Sequence, residues 1–212
     1  MTNEELDNLY KEYDQEFEIY KSFLNDEYQK TNVNDYKNML MTSVLNRSLA
    51  LIEAYKVLLP SNNLMVLNSL SRLQIDNCIF IYGVKMLIDN GHSIYEVGSA
   101  IMNNNKKLSD YKIGKNKLCD TYIISELNNK YHLNIKNIYK FYCRFVHFSD
   151  SALLSSSQVS EENIFSIELS KDYSRFEKYI FKNAKLFSEL NKLVLILLNN
   201  EWKEISNSSK II

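Results

Sequence analysis

S-N-N-L-M-V-L-N-S-L-S-R-L-Q-I-D-N-C-I-F-I-Y-G-V-K-M-L-I-D-N, Ser61–Asn90, decides the fold. Leu64, Leu67, Leu70, Leu73, Ile81 and Leu87 recur at helical steps, and the stretch predicts one long helix beginning at Ser61. Pro60, just before it, ends the preceding helix, because the residue before a proline is pushed out of the helical region. Gly91, just after it, is a natural C′ stop.

The same periodicity continues outward. Thr2-x-x-Glu5 reads as a capping box, followed by Leu6, Leu9, Tyr10, Tyr13, Phe17, Tyr20 and Leu24 on a helix to about residue 29. Thr31–Asn34 reads as a turn, and a second helix runs from about Asp35 to Leu59. Ser93-x-x-Glu96 opens a short helix to about Met102. Residues 103–118 are polar and predict a loop. Helical spacing returns at Cys119–Tyr131, and Asn134 is placed to cap the next helix. A Ser-rich stretch, Ser149–Ser160, precedes Ile164–Leu169, which reads as a short strand or extended arm. A last amphipathic helix covers about Asp172–Trp202.

Composition agrees. Only four glycines and one proline occur in 212 residues, too few for the tight turns that sheets and Gly-rich phosphate loops require. Hydrophobic residues make up 45%, enough for a core. The expectation is an all-α, single-domain helical bundle over residues 1–205 with a flexible tail at 206–212. A net charge of −1 gives no global signal for nucleic acid. The longest apolar run, Leu193–Leu198, is far below the ~20 residues of a membrane span. The acidic start, Met1–Glu5, does not fit a secretory signal. Cys78, Cys119 and Cys143 read as reduced thiols of a cytoplasmic protein, and no Cys/His group has zinc spacing. No cofactor is expected.

Two polar features interrupt this pattern. Arg72 and Asp76 stand at i and i+4 on the long, apolar helix. Y-K-F-Y-C-R-F-V-H-F-S, Tyr139–Ser149, places Arg144 and His147 three residues apart on a helix. Together, S-L-S-R-L-Q-I-D-N-C-I-F-I-Y (Ser69–Tyr82) and this segment resemble a bacterial helical family of unknown function. That family pairs R-x-x-x-E with a later Y-x-x-x-S-x-x-x-H-x-S, and is itself similar to the HEPN superfamily of nucleic-acid-cleaving or nucleotide-binding helical domains. N-R-S-L-A-L-I-E-A-Y-K-V-L-L (Asn46–Leu59) also looks like the family, and the resemblance covers roughly residues 35–200. Asp76 stands where the pattern has Glu, and Cys143 where it has Ser. HEPN ribonucleases separate the motif Arg and His by four to six residues; here two intervene.

The resemblance implies a HEPN-like bundle, a homodimer, and a metal-independent endoribonuclease or toxin-type effector in bacterial defence or stress, with RNA as substrate and an antitoxin or other protein as partner. In that reading His147 is the general acid/base. Arg144 and Arg72 stabilise phosphorane charge beside Asp76, and Tyr139 or Ser149 orients the phosphate or the imidazole. Lys106, Lys107, Lys112, Lys115 and Lys117, with Tyr111 among them, could track a phosphate backbone, or form a solvated loop diluted by Asp110 and Asp120. His92 and His132 read as surface residues.

The plain alternative gives the aromatic-rich segment a packing role. His147 then hydrogen-bonds a buried carbonyl or Asp76, Arg144 pairs with an acid, and Arg72–Asp76 is an intrahelical ion pair. Function would follow from a non-catalytic helical module that binds a protein partner or a nucleotide.

Overall fold

A computed structural model describes residues 3–28, 35–146, 157–159, 165–167 and 177–208. Helices α1 (Asn3–Tyr28), α2 (Tyr36–Leu58), α3 (Leu64–Asp89), α4 (Ile94–Asn104), α5 (Asp120–Tyr131) and α6 (Ile135–Val146) come first. Helix α7 (Glu177–Leu197) then passes through a π-helical turn, Leu198–Trp202, into α8 (Lys203–Ser208). The all-α bundle expected from composition is what the chain forms. Among the described residues, no helix is long and apolar enough to cross a membrane.

The boundaries follow local chemistry. Asp35 caps α2, its carboxylate accepting from the backbone N–H of Lys37 at 3.0 Å. The long helix starts at Leu64 rather than Ser61. Pro60 sits in a 3-10 turn, Leu59–Ser61, and Asn62 takes a left-handed φ of 54°. The cap is therefore Asn63, which accepts from Val66 N–H at 3.2 Å. At the other end Gly91 adopts φ +89°. Its N–H reaches Ile88 O at 3.0 Å, and His92 N–H reaches Leu87 O at 3.1 Å, the paired bonds of a Schellman stop. Ser93 and Glu96 make the reciprocal capping box read from the sequence.

The polar stretch after α4 departs from the loop expectation. Leu108–Asp110 forms a 3-10 turn, and β1 (Lys112–Ile113) pairs antiparallel with β2 (Asn116–Lys117) across Gly114 at φ +58°. Tyr111 and Leu118, both buried, fasten this small hairpin to the bundle. The strand read at Ile164–Leu169 is β4 (Phe165–Ile167), paired with β3 (Ser157–Val159) from the Ser-rich stretch. Helix α8 runs to Ser208, past the expected boundary at residue 205. Thr2, Thr31–Asn34, His147, Ser149 and residues 209–212 lie outside the described residues.

Helix α3 is the axis, packed against α7, α6, α2 and α5, while α1 lies on α2 and α7. Tyr55 stacks on Phe187 with centroids 4.0 Å apart, and Tyr13 meets both rings edge-on. Such pairs add about 0.5–1.5 kcal/mol beyond area burial. Tyr13 and Tyr20 are fully buried and donate their hydroxyls to Ala184 O and Asn191 O, each at 2.7 Å. These bonds fix α1 against α7 at two points one helical stretch apart.

Candidate functional site

The polar site grows from α3. Arg72 is only 9% exposed, so its charge must be met inside the protein. It donates to Asp76 one turn along, through Nη2 to Asp120 at the start of α5 (3.3 Å), and through Nε to Cys143 Sγ on α6 (3.3 Å). The ring of Tyr139 lies under its Cζ at 4.4 Å. Tyr139 also donates to Asp120 at 3.4 Å. One guanidinium thus ties three helices together. Burial works against its charge, but the adjoining Asp76 carboxylate outweighs that and holds Arg72 above the usual arginine range. Burial, opposed by the nearby Arg72 charge and aided by Asp120, pushes the Tyr139 phenol up.

Helix α2 contributes Arg47, which the sequence reading did not single out. Its Nη1 donates to Asn77 Oδ1 at 3.1 Å, and its Nη2 lies 3.9 Å from Asp76 Oδ2. Arg47 keeps 43% of its side chain in solvent, in contrast to Arg72. Asn77 can present its carbonyl because its amide nitrogen is fixed on Ser48 Oγ and Gln74 Oε1, both at 2.9 Å.

That amide begins a polar seam through the core. Gln74 donates to Asn191 Oδ1 at 2.9 Å and to the Tyr20 hydroxyl at 3.3 Å. Asn191 donates to Glu16 Oε2 at 2.6 Å, and Ser188 donates to the other Glu16 oxygen. Glu16 is 3% exposed. Burial pushes its carboxyl up to about 7, against the hydrogen bonds from Ser188 and Asn191.

Beside Arg47 a cleft of about 420 Å³ opens between α2, α3 and the 3-10 turn. Its walls include Val44, Ile79, Phe80 and Leu108 together with Ser43 and Ser109. Asp76 and Asp120 reach it from the Arg72 cluster, and Lys107 reaches it from the loop.

The structure sorts the sequence candidates into two groups. Arg72, Asp76 and Tyr139 come together, joined by Asp120 and Cys143. Arg144 is exposed on α6, nine positions after buried Ile135, about 180° around the helix from it. His147 and Ser149 lie outside the described residues. Lys106, Lys107, Lys115 and Lys117 are exposed. Lys106 lies over the Tyr111 ring at 4.0 Å, Lys107 lines the cleft, and Lys117 stands opposite Lys112 on the hairpin. His92 meets Tyr111 edge-on, and His132 is exposed at the left-handed end of α5. Among the described residues no three His, Cys, Asp or Glu side chains converge as metal ligands would.

No protein-family model, curated protein or solved structure matches the chain.

Proposed function

We propose that this chain is a non-catalytic helical binding module with a HEPN-like arrangement. The observation that carries this reading is the engagement of Arg72. Its donors are directed at Asp76, Asp120 and Cys143, and Tyr139 covers its face. A guanidinium that stabilises a phosphorane needs donors aimed at the substrate oxygens; this one closes a junction between α3, α5 and α6. Arg144 is exposed on α6, about 100° around the helix from Cys143, the residue that accepts from Arg72. Arg72 and Asp76 then serve as positioning residues, holding the α3–α5–α6 frame beside an open cleft.

The test compares the full chain with His147→Ala, after circular dichroism has confirmed that both fold. Purified protein is incubated with total RNA and the products are resolved by electrophoresis. The module reading expects the two proteins to leave RNA equally intact. RNA cleavage by the parent chain that disappears in the folded His147→Ala variant refutes it and restores the ribonuclease reading.

A further inference from the structure

We propose that the cleft between α2, α3 and the Leu108–Asp110 turn binds a small aromatic anion: a flat apolar body carrying one phosphate, carboxylate or sulfonate group. The inference rests on the binding-module reading and names the ligand that such a module would hold.

Size comes first. A cavity of about 420 Å³ falls within the range of small-molecule sites, about 300–1,000 Å³. The walls divide by chemistry. Val44, Ile79, Phe80 and Leu108 give an apolar interior, with Phe80 as its aromatic member.

Charge selects the sign. The two acids at the cleft, Asp76 and Asp120, are both bound by Arg72 from behind. Arg47 makes one hydrogen bond to neutral Asn77 and only a long approach of 3.9 Å to Asp76. Lys107 forms no ion pair among the described residues, and nearby Asp110 turns its carboxylate to the Lys107 backbone N–H at 2.8 Å. Arg72 offsets Asp76 and Asp120 from behind the wall, which leaves Arg47 and Lys107 as the cleft-lining cations with no close carboxylate partner; Asp110, exposed beside Lys107, balances part of their charge. Arg47 supplies a planar fork suited to an oxyanion, and Lys107 supplies a mobile point charge in the same cleft. Ser43 and Ser109 also line the cleft. Asn77 holds the Arg47 fork from inside through the seam that ends at Glu16.

The probe is anilinonaphthalene sulfonate, an aromatic monoanion that fluoresces when bound, titrated into the folded full chain. The expected result is saturable binding of one molecule per chain. Loss of a charged hydrogen bond predicts about tenfold weaker binding in Arg47→Gln. Lys107→Glu, a change at an exposed residue that leaves the fold intact, weakens it as well. AMP and adenosine then compete for the bound probe. Displacement by AMP but not adenosine assigns the site to phosphate esters; displacement by neither, with the Arg47 and Lys107 dependence retained, assigns it to aromatic carboxylic or sulfonic acids. Non-saturable binding, or affinity unchanged in both variants, overturns the proposal. Neither result bears on RNA cleavage, so this failure is separable from failure of the module reading.

Discussion

Replacing Glu16 with Gln changes how stability depends on pH, and the structure sets the size of the change. Glu16 lies 3% exposed between α1 and α7. Its carboxyl is pushed from 4.5 up to about 7, chiefly by burial, with Glu12 adding to the rise and Ser188, Asn191 and Lys192 opposing it. The folded protein therefore holds a proton here between about pH 4.5 and 7 that the unfolded chain has lost. Unfolding therefore releases this proton, so this group's contribution to stability falls as pH rises through that window and levels off above it. At about 1.4 kcal/mol per pH unit, the full displacement is worth about 3 kcal/mol. Gln removes the ionisation while preserving both contacts. Its carbonyl accepts from Asn191, and its amide donates to Ser188, whose hydroxyl rotates to accept. The difference in unfolding free energy between Glu16→Gln and the parent should shift toward the variant by about 3 kcal/mol between pH 4.5 and 8. Urea denaturation at pH steps across this range measures it. A difference that stays flat within about 0.5 kcal/mol would refute a buried, neutral Glu16.

Arg72→Ala should cost about 2–3 kcal/mol by urea denaturation, at or below the low end for a broken buried pair, because Asp76 and Asp120 keep 31% and 51% of their side chains in solvent. Arg72→Lys should recover less than half of that, since an ammonium cannot span Asp76, Asp120 and Cys143 in one plane. Gly98→Ala should lower the melting temperature, because the new Cβ would sit 2.4 Å from Tyr36 Cβ, an atom tied to the α2 backbone; overpacking of about 1–3 kcal/mol exceeds the gain of up to about 1 kcal/mol in helix propensity. Gly83→Ala should be nearly neutral in the same assay, since its Cβ meets Leu108 Cδ1 at 2.7 Å and Ile123 Cδ1 at 3.0 Å, the movable ends of side chains. Lys117→Glu should stabilise the hairpin by about 0.2–1 kcal/mol, seen as slower amide exchange at β1, by replacing a like-charge pair with Lys112.

The helices were legible because their signals are local. Period, caps and the near-absence of Gly and Pro each act within a few residues, and all point the same way. The Arg72–Asp76 pair was legible for the same reason: charges one turn apart on an apolar helix need partners nearby. Asp120, Cys143 and Arg47 complete the cluster from 48, 71 and 25 positions away from Arg72, and no periodicity reports a contact of that range. Glu16 left a readable mark. It shares the stripe of Leu9, Tyr13 and Tyr20, all buried, at steps of four, three and four. A carboxylate on that stripe is a buried acid unless the helix rotates. The hairpin escaped notice because two-residue strands are too short to alternate, and its anchors, Tyr111 and Leu118, stand singly among lysines.

The π-helical turn at Leu198–Trp202 has a consequence for chain length. Hydrogen bonds that reach five residues instead of four accommodate one surplus residue within an otherwise regular rod. Here the surplus falls where Asn199 and Asn200 face solvent, while Leu198, Glu201 and Trp202 on either side are buried. Deleting Asn200 would let the ladder close at the ordinary spacing, with the buried faces of α7 and α8 both kept. The turn is thus a built-in place where this protein can shorten by one residue, and homologous chains that lack that residue would carry an unbroken α-helix through the same packing.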